Sequence, residues 1–147
     1  MSINQTAALP VPPLPDVLLE PLVRMALLED LGRAGDLTTD TIVPADAQDS
    51  LRLVARQGGV LAGVDLARLA FHLLDSSLVF EQLCGDGTVL APGMEIARIR
   101  GKSRAILTAE RTALNYLCHL SGVASATYSI VQAIQPYGTR VTCTRKT

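Results

Sequence analysis

Thr108, Arg111, Asn115 and His119 recur at spacings of three and four through SRAILTAERTALNYLCHLSG, residues 103–122, with Cys118 at their edge. On a helix that spacing lines one face. A solvated helical face normally carries several Lys and Glu residues, whereas this set holds one Arg among short hydrogen-bonding groups. It suits a wet interface or the wall of an anion site, because a planar guanidinium can grip a carboxylate through two parallel hydrogen bonds. An exposed polar face with an idle Arg is the alternative. A second cationic pair, Arg145 and Lys146, follows the β-branched, alternating run TRVTCT at residues 139–144. A third cluster is acidic: EDLGRAGDLTTDTIVP, residues 29–44, offers Asp30, Asp36 and Asp40 as oxygen donors. Its spacing is not that of an EF-hand, and turn-forming or capping Asp and Thr is the preferred reading.

These residues need elements to hold them. Ile106, Ala109, Ala113, Leu117 and Leu120 form the apolar face of the helix that carries Arg111. Its expected span is residues 103–121, with Ser103 as N-cap and a bend at Ser121–Gly122 into a second helix at 123–134. A helix over 16–28 is expected to show Val17, Leu18, Pro21, Leu22, Met25 and Leu28 as its apolar face. The acidic run 29–44 reads as a loop, and 64–74 as a helix on which His72 is a surface or boundary histidine. Strands are expected at 50–55, 60–62, 78–84, 94–100 and 139–144. The turns within CGDGTVLAPGMEIARIRG, residues 84–101, look like those of lipoyl and biotinyl carrier domains. No lysine stands at the hairpin tip to carry a prosthetic group, so that likeness concerns geometry and not chemistry.

With 147 residues, 48% of them hydrophobic and 18% charged, the chain is globular and can bury one core. A net charge of −1 and the lack of a Lys-Arg cluster give no footprint for nucleic acid or a membrane surface. Trp is absent, so Ala, Leu and Val must fill the interior. Cys84, Cys118 and Cys143 are odd in number and lack CxxC spacing, which suits a reducing cytoplasm and no zinc site. Residues 1–15, with four prolines, read as an extended or disordered arm and not as a signal peptide.

Taken together, EDLGRAGDLTT (29–39), TAERTALNYLCHLSGVA (108–124) and TRVTCTRKT (139–147) resemble the N-terminal half of the quinolinate phosphoribosyltransferases, the carboxylating nicotinate-nucleotide pyrophosphorylases. The resemblance implies an α+β fold. Residues 16–138 would form an N-terminal open α/β sandwich, a sheet of about four strands with helices. Residues 139–147 would be the first strand of a C-terminal α/β barrel not present in this chain. It also implies joining quinolinate to phosphoribosyl pyrophosphate, with loss of CO2 and pyrophosphate, to give nicotinate mononucleotide in NAD biosynthesis.

By the same resemblance Arg111, Thr144, Arg145 and Lys146 bind substrate, with Lys146 also catalytic. The family pairs two chains, so a homodimer is expected in which Arg111 reaches the partner's site, with a higher oligomer left open. Mg2+ is the implied cofactor, its ligands lying in the absent half. No metal is assigned to the residues here. The chain is therefore expected to be a piece of the enzyme, inactive alone. A dimerisation or small-anion-binding module, and a related phosphoribosyltransferase with another substrate, are the alternatives. His119 is read either as a hydrogen-bonding group in the dimer interface or as a satisfied core histidine, the second preferred.

Overall fold

The computed structural model describes residues 12–144. Four helices and five strands follow in the order α1 (Asp16–Leu31), α2 (Leu37–Ile42), β1 (Gln48–Val54), β2 (Gly59–Val60), α3 (Val64–Leu74), β3 (Val79–Gln82), β4 (Val89–Leu90), β5 (Glu95–Lys102) and α4 (Ser103–Ile134). A single 3₁₀ turn, Gln135–Tyr137, follows α4.

The sheet is antiparallel, in the order β1-β5-β3, with Arg52 opposite Arg98 and Glu81 opposite the same Arg98. Side chains alternate across such a pleat. Leu51, Leu53, Ala97, Ile99 and Phe80 therefore share the face turned to the helices, and Arg52, Arg98, Arg100 and Glu81 share the other. Phe71 of α3 meets Phe80 with ring centroids 6.0 Å apart. The core closes around Phe71, Leu61, Ile99, Ile106, Val23 and Val64, the largest side chains fully removed from water. One apolar face and one charged face on an antiparallel sheet, with helices on the first, is the expected open α+β sandwich. The strand count differs: three strands form the sheet, and β2 and β4 pair separately as a two-stranded ribbon.

Several local expectations change. The two helices foreseen at 103–121 and 123–134 are one helix of 32 residues. The helix is not interrupted at Ser121–Gly122, and the two Ser side chains reach across to the backbone beside the ribbon. Ser125 Oγ accepts the Val60 N–H at 2.8 Å, and Ser121 Oγ accepts the Ala62 N–H at 3.0 Å. Ser103 is not the N-cap but the first helical residue, and it is buried. The loop foreseen at 29–44 is partly helical: α1 runs on to Leu31, and Asp36 caps α2 by accepting the Thr39 N–H at 3.0 Å.

On α1 the buried stripe is Leu19, Val23 and Leu27, while Val17, Leu18, Met25 and Leu28 are exposed. Both stripes are apolar, so packing against α3 and not hydropathy selects the inner one. Residues 139–144 form no strand and pair with none of the described strands, a difference from the strand expected there.

The turn into α3 needs a special backbone. Gly63 sits at φ 96°, and an added Cβ would come within 2.9 Å of Leu120 Cδ1. The Asp86 carboxylate then accepts the N–H groups of Gly63 and Val64 at 2.9 and 3.0 Å, supplying from afar the cap that α3 lacks locally.

Candidate functional site

The anticipated apolar face of α4 is buried: Ile106, Ala109, Ala113 and Leu117 are each at most 6% exposed. That burial turns the opposite stripe outward. Arg111, Asn115, Cys118 and His119 are exposed and Thr108 is half-buried. The core reading of His119 is thereby corrected. Its ring borders a groove of about 270 Å³ between α1 and α4, shared with Glu29, Asp30, Asn115 and Tyr116. His72 is also exposed, as expected.

Two arginines on the same helix show what Arg111 is free to do. Arg104 is spent on structure. Its Nε donates to Val43 O at 2.8 Å, its Nη2 to Asp40 O at 2.9 Å and its Nη1 to Asp40 Oδ1 at 3.2 Å. These bonds pin α2 to α4. Arg111, two turns on, has a side chain 75% exposed, and Nη1 lies 3.1 Å from Asp30 Oδ1. A guanidinium has five N–H donors. Most of those on Arg111 remain open to a ligand.

The carboxylates near it are engaged. Asp36 accepts from Thr39 Oγ1 at 2.5 Å and from Thr108 Oγ1 at 3.1 Å, besides its cap to Thr39 N. Hydrogen bonds from the Thr39 hydroxyl and then its backbone N–H hold the Asp36 carboxyl below the usual carboxylate range. Thr108 and the charge of Arg111 add to the effect. A polar crevice of about 240 Å³ lies here, bordered by Asp30, Asp36, Leu107, Thr108 and Arg111. Asp36 thus caps a helix, in line with the preferred reading of the acidic run, while the ion pairs of Asp30 and Asp40 were not foreseen.

Of the expected substrate-binding residues, Arg111 and Thr144 are described, and both are exposed. Arg145 and Lys146 lie outside the described residues. From Arg111 to Ile134 α4 runs on for roughly 35 Å at 1.5 Å per residue, so the helix itself carries the chain away from its own Arg111. Sequence reasoning missed Asp30 as the partner of Arg111. The lone Arg among neutral groups was a signal that a counter-charge had to come from another element, but nothing in the spacing said which.

Residues 36–121 match the family model described as "Quinolinate phosphoribosyl transferase, N-terminal domain". The chain is 39% identical over 133 residues to a probable nicotinate-nucleotide pyrophosphorylase [carboxylating] of Synechocystis sp., covering 90% of this chain and 44% of that one. It is 34% identical to the chloroplastic nicotinate-nucleotide pyrophosphorylase [carboxylating] of Oryza sativa subsp. japonica, covering 92% of this chain and 37% of that protein. The structure of the nicotinate-nucleotide pyrophosphorylase from Francisella tularensis superposes with a TM-score of 0.80 at 32% identity, covering 87% of this chain and 45% of that one. The chain spans less than half the length of these relatives.

Proposed function

The chain belongs to the quinolinate phosphoribosyltransferase family, and from that membership we propose that it supplies one wall of a site joining quinolinate to phosphoribosyl pyrophosphate. The observation that carries the reading is Arg111, within the family-matched segment. It offers an open guanidinium beside an anchored pair of carboxylates, while on the same helix every nitrogen of the Arg104 guanidinium is hydrogen-bonded within the fold. Quinolinate presents two adjacent carboxylates, and a guanidinium can hold one of them bidentately.

In this reading the pyridine nitrogen attacks the anomeric carbon of the ribose as the bond to pyrophosphate breaks, through a centre of oxocarbenium character. The ring nitrogen becomes positive. Its charge stabilises the carbanion left on the adjacent ring carbon as the C–CO2 bond breaks, and that carbon takes up a proton from water to give nicotinate mononucleotide. Binding and electrostatics supply the acceleration, and neither Cys118 nor Cys143 is needed as a nucleophile. Thr144, Arg145 and Lys146 are proposed to bind substrate from the far end of this segment, Lys146 with a compact charge near the reacting carboxylate or phosphates.

Mg2+ belongs to the proposal as the ion that neutralises the departing pyrophosphate. Asp30, Asp36 and Asp40 are engaged by Arg111, Thr39 and Arg104, so its ligands are assigned to the part of the enzyme beyond this chain. A dimer is proposed in which Arg111 enters a second copy's site. The roughly 35 Å of α4 that follow Arg111 support this, since a second copy needs no return of the chain. No described helix is long and apolar enough to cross a membrane. Free thiols at Cys84, Cys118 and Cys143 fit a reducing compartment, and the cytoplasm is the one we propose.

The test joins this chain, after Thr147, to the remainder of the Synechocystis relative and measures CO2 and pyrophosphate release. Expected is quinolinate-dependent release that Arg111→Ala weakens through a higher KM. A joined protein that melts cooperatively yet releases neither product, while the intact relative does, overturns the reading.

A further inference from the structure

Resting on the reading that Arg111 binds substrate, we infer that Asp30 is the positioning residue for that arginine, fixing its guanidinium on the wall of the site. Asp30 stands in the last turn of α1, where the negative end of the helix dipole opposes a carboxylate. Its side chain is only 18% exposed, and its one ion-pair partner among the described residues is Arg111, at 3.1 Å. An ion pair whose cation is 75% exposed to water contributes little to folding, so stability gives little reason for an acid in that place.

The arginine gains more from the pair than the fold does. A side chain 75% exposed on a long flexible stem otherwise samples many rotamers, and each productive encounter would have to order it. The ion pair with Asp30 runs through Nη1, and no other Arg111 nitrogen has a hydrogen-bond partner among the described residues. Asp36 cannot replace it. Its oxygens already accept from Thr39 N, Thr39 Oγ1 and Thr108 Oγ1, so it contributes charge to the crevice without gripping the guanidinium. Asp30 also borders both the crevice beside Arg111 and the groove beside His119, which places it at the hinge between the two.

The test uses the joined enzyme described above. Asp30→Asn keeps the shape and an acceptor oxygen but removes the charge. The KM for quinolinate is expected to rise about tenfold, while kcat and the KM for phosphoribosyl pyrophosphate stay within about twofold. Asp30→Glu should recover part of the loss, and Asp30→Asn should add nothing in the Arg111→Ala background.

If Arg111→Ala leaves the quinolinate KM unchanged, both the functional reading and this inference fall. If Arg111→Ala raises it and Asp30→Asn does not, the inference alone falls. Equal losses for both substrates mark a merely structural role and also overturn it. A second measurement needs no turnover. In the 147-residue chain, the Arg111 Nη protons should exchange with water more slowly than in Asp30→Asn or Asp30→Glu, and equal rates in all three overturn the positioning role.

Discussion

Between Ser103 and Leu120, α4 presses Ile106, Ala109, Thr112, Ala113 and Leu117 into the core and is tied to α2 through Arg104. After Ser121 the same helix is almost bare. Ser121, Ala124, Ser125 and Ile134 are half-buried, and Val123, Tyr128, Ile130 and Val131 face outward. The first half is helical because tertiary packing covers one stripe. The second half is helical because it propagates from an existing nucleus, which costs far less than starting anew, and because two serines moor it to Val60 of β2 and to Ala62 just after it. Arg111 sits in the first half. The site residue therefore rides on the rigid part, where a guanidinium can be held in place.

The largest expected effect breaks the inner half. Ile106→Ala, at a position 2% exposed, should cost about 2–5 kcal/mol in a denaturant melt. A cost below about 1 kcal/mol would mean the inner half is not packed as described.

Acid should come next, because it protonates carboxylates that brace the start and the inner half of α4. Asp75 is held at about 2 by hydrogen bonds from the Ser77 hydroxyl and backbone, with Lys102 Nζ 3.3 Å away at the end of β5, just before α4. Asp36, bonded to Thr108 of α4, is also lowered. Folded values below the unfolded value of 3.8 mean that this stabilisation is fully present above about pH 4. It is lost as pH falls toward about 2. The melting temperature should drop across that window, and Asp75→Asn should flatten the drop.

Gly122→Ala sharpens the contrast at the boundary. Its Cβ would meet nothing within 4 Å and its φ is not left-handed, so one continuous helix predicts a gain of about 0.5–1 kcal/mol. Destabilisation would restore the bend between two helices. The smallest effect is expected at the outer half. Ile130→Ser, 54% exposed, should stay within about 0.5 kcal/mol in the chain alone. A larger loss would reveal a partner already covering that face.

Much of the core was legible where one stripe of a helix is apolar and the other is not. The stripe from Ile106 to Leu117 and the helix Val64–Leu74 are of that kind. The alternation of Leu51 and Leu53 against Arg52 likewise named the inner face of β1. Legibility failed on α1, whose residues are apolar nearly all round, so hydropathy named Val17, Leu18 and Met25 where packing chose Leu19, Val23 and Leu27. It failed again at Ser121–Gly122, which read locally as a break. Within the site, Arg111 stood out by its type and setting, whereas Asp30 did not, being one acid among several in a run that reads as a loop.

The sequence by itself determined the periodicities, the turn-and-cap chemistry of the acidic run and the family resemblance. Each of these is set by residues within a few turns of one another or by motif order. Only the tertiary structure decided which face of α1 is inside, that α4 is unbroken, and that Asp30 meets Arg111. Those outcomes depend on contacts between segments far apart in the chain, and local preferences leave the alternatives nearly equal in energy until the elements pack.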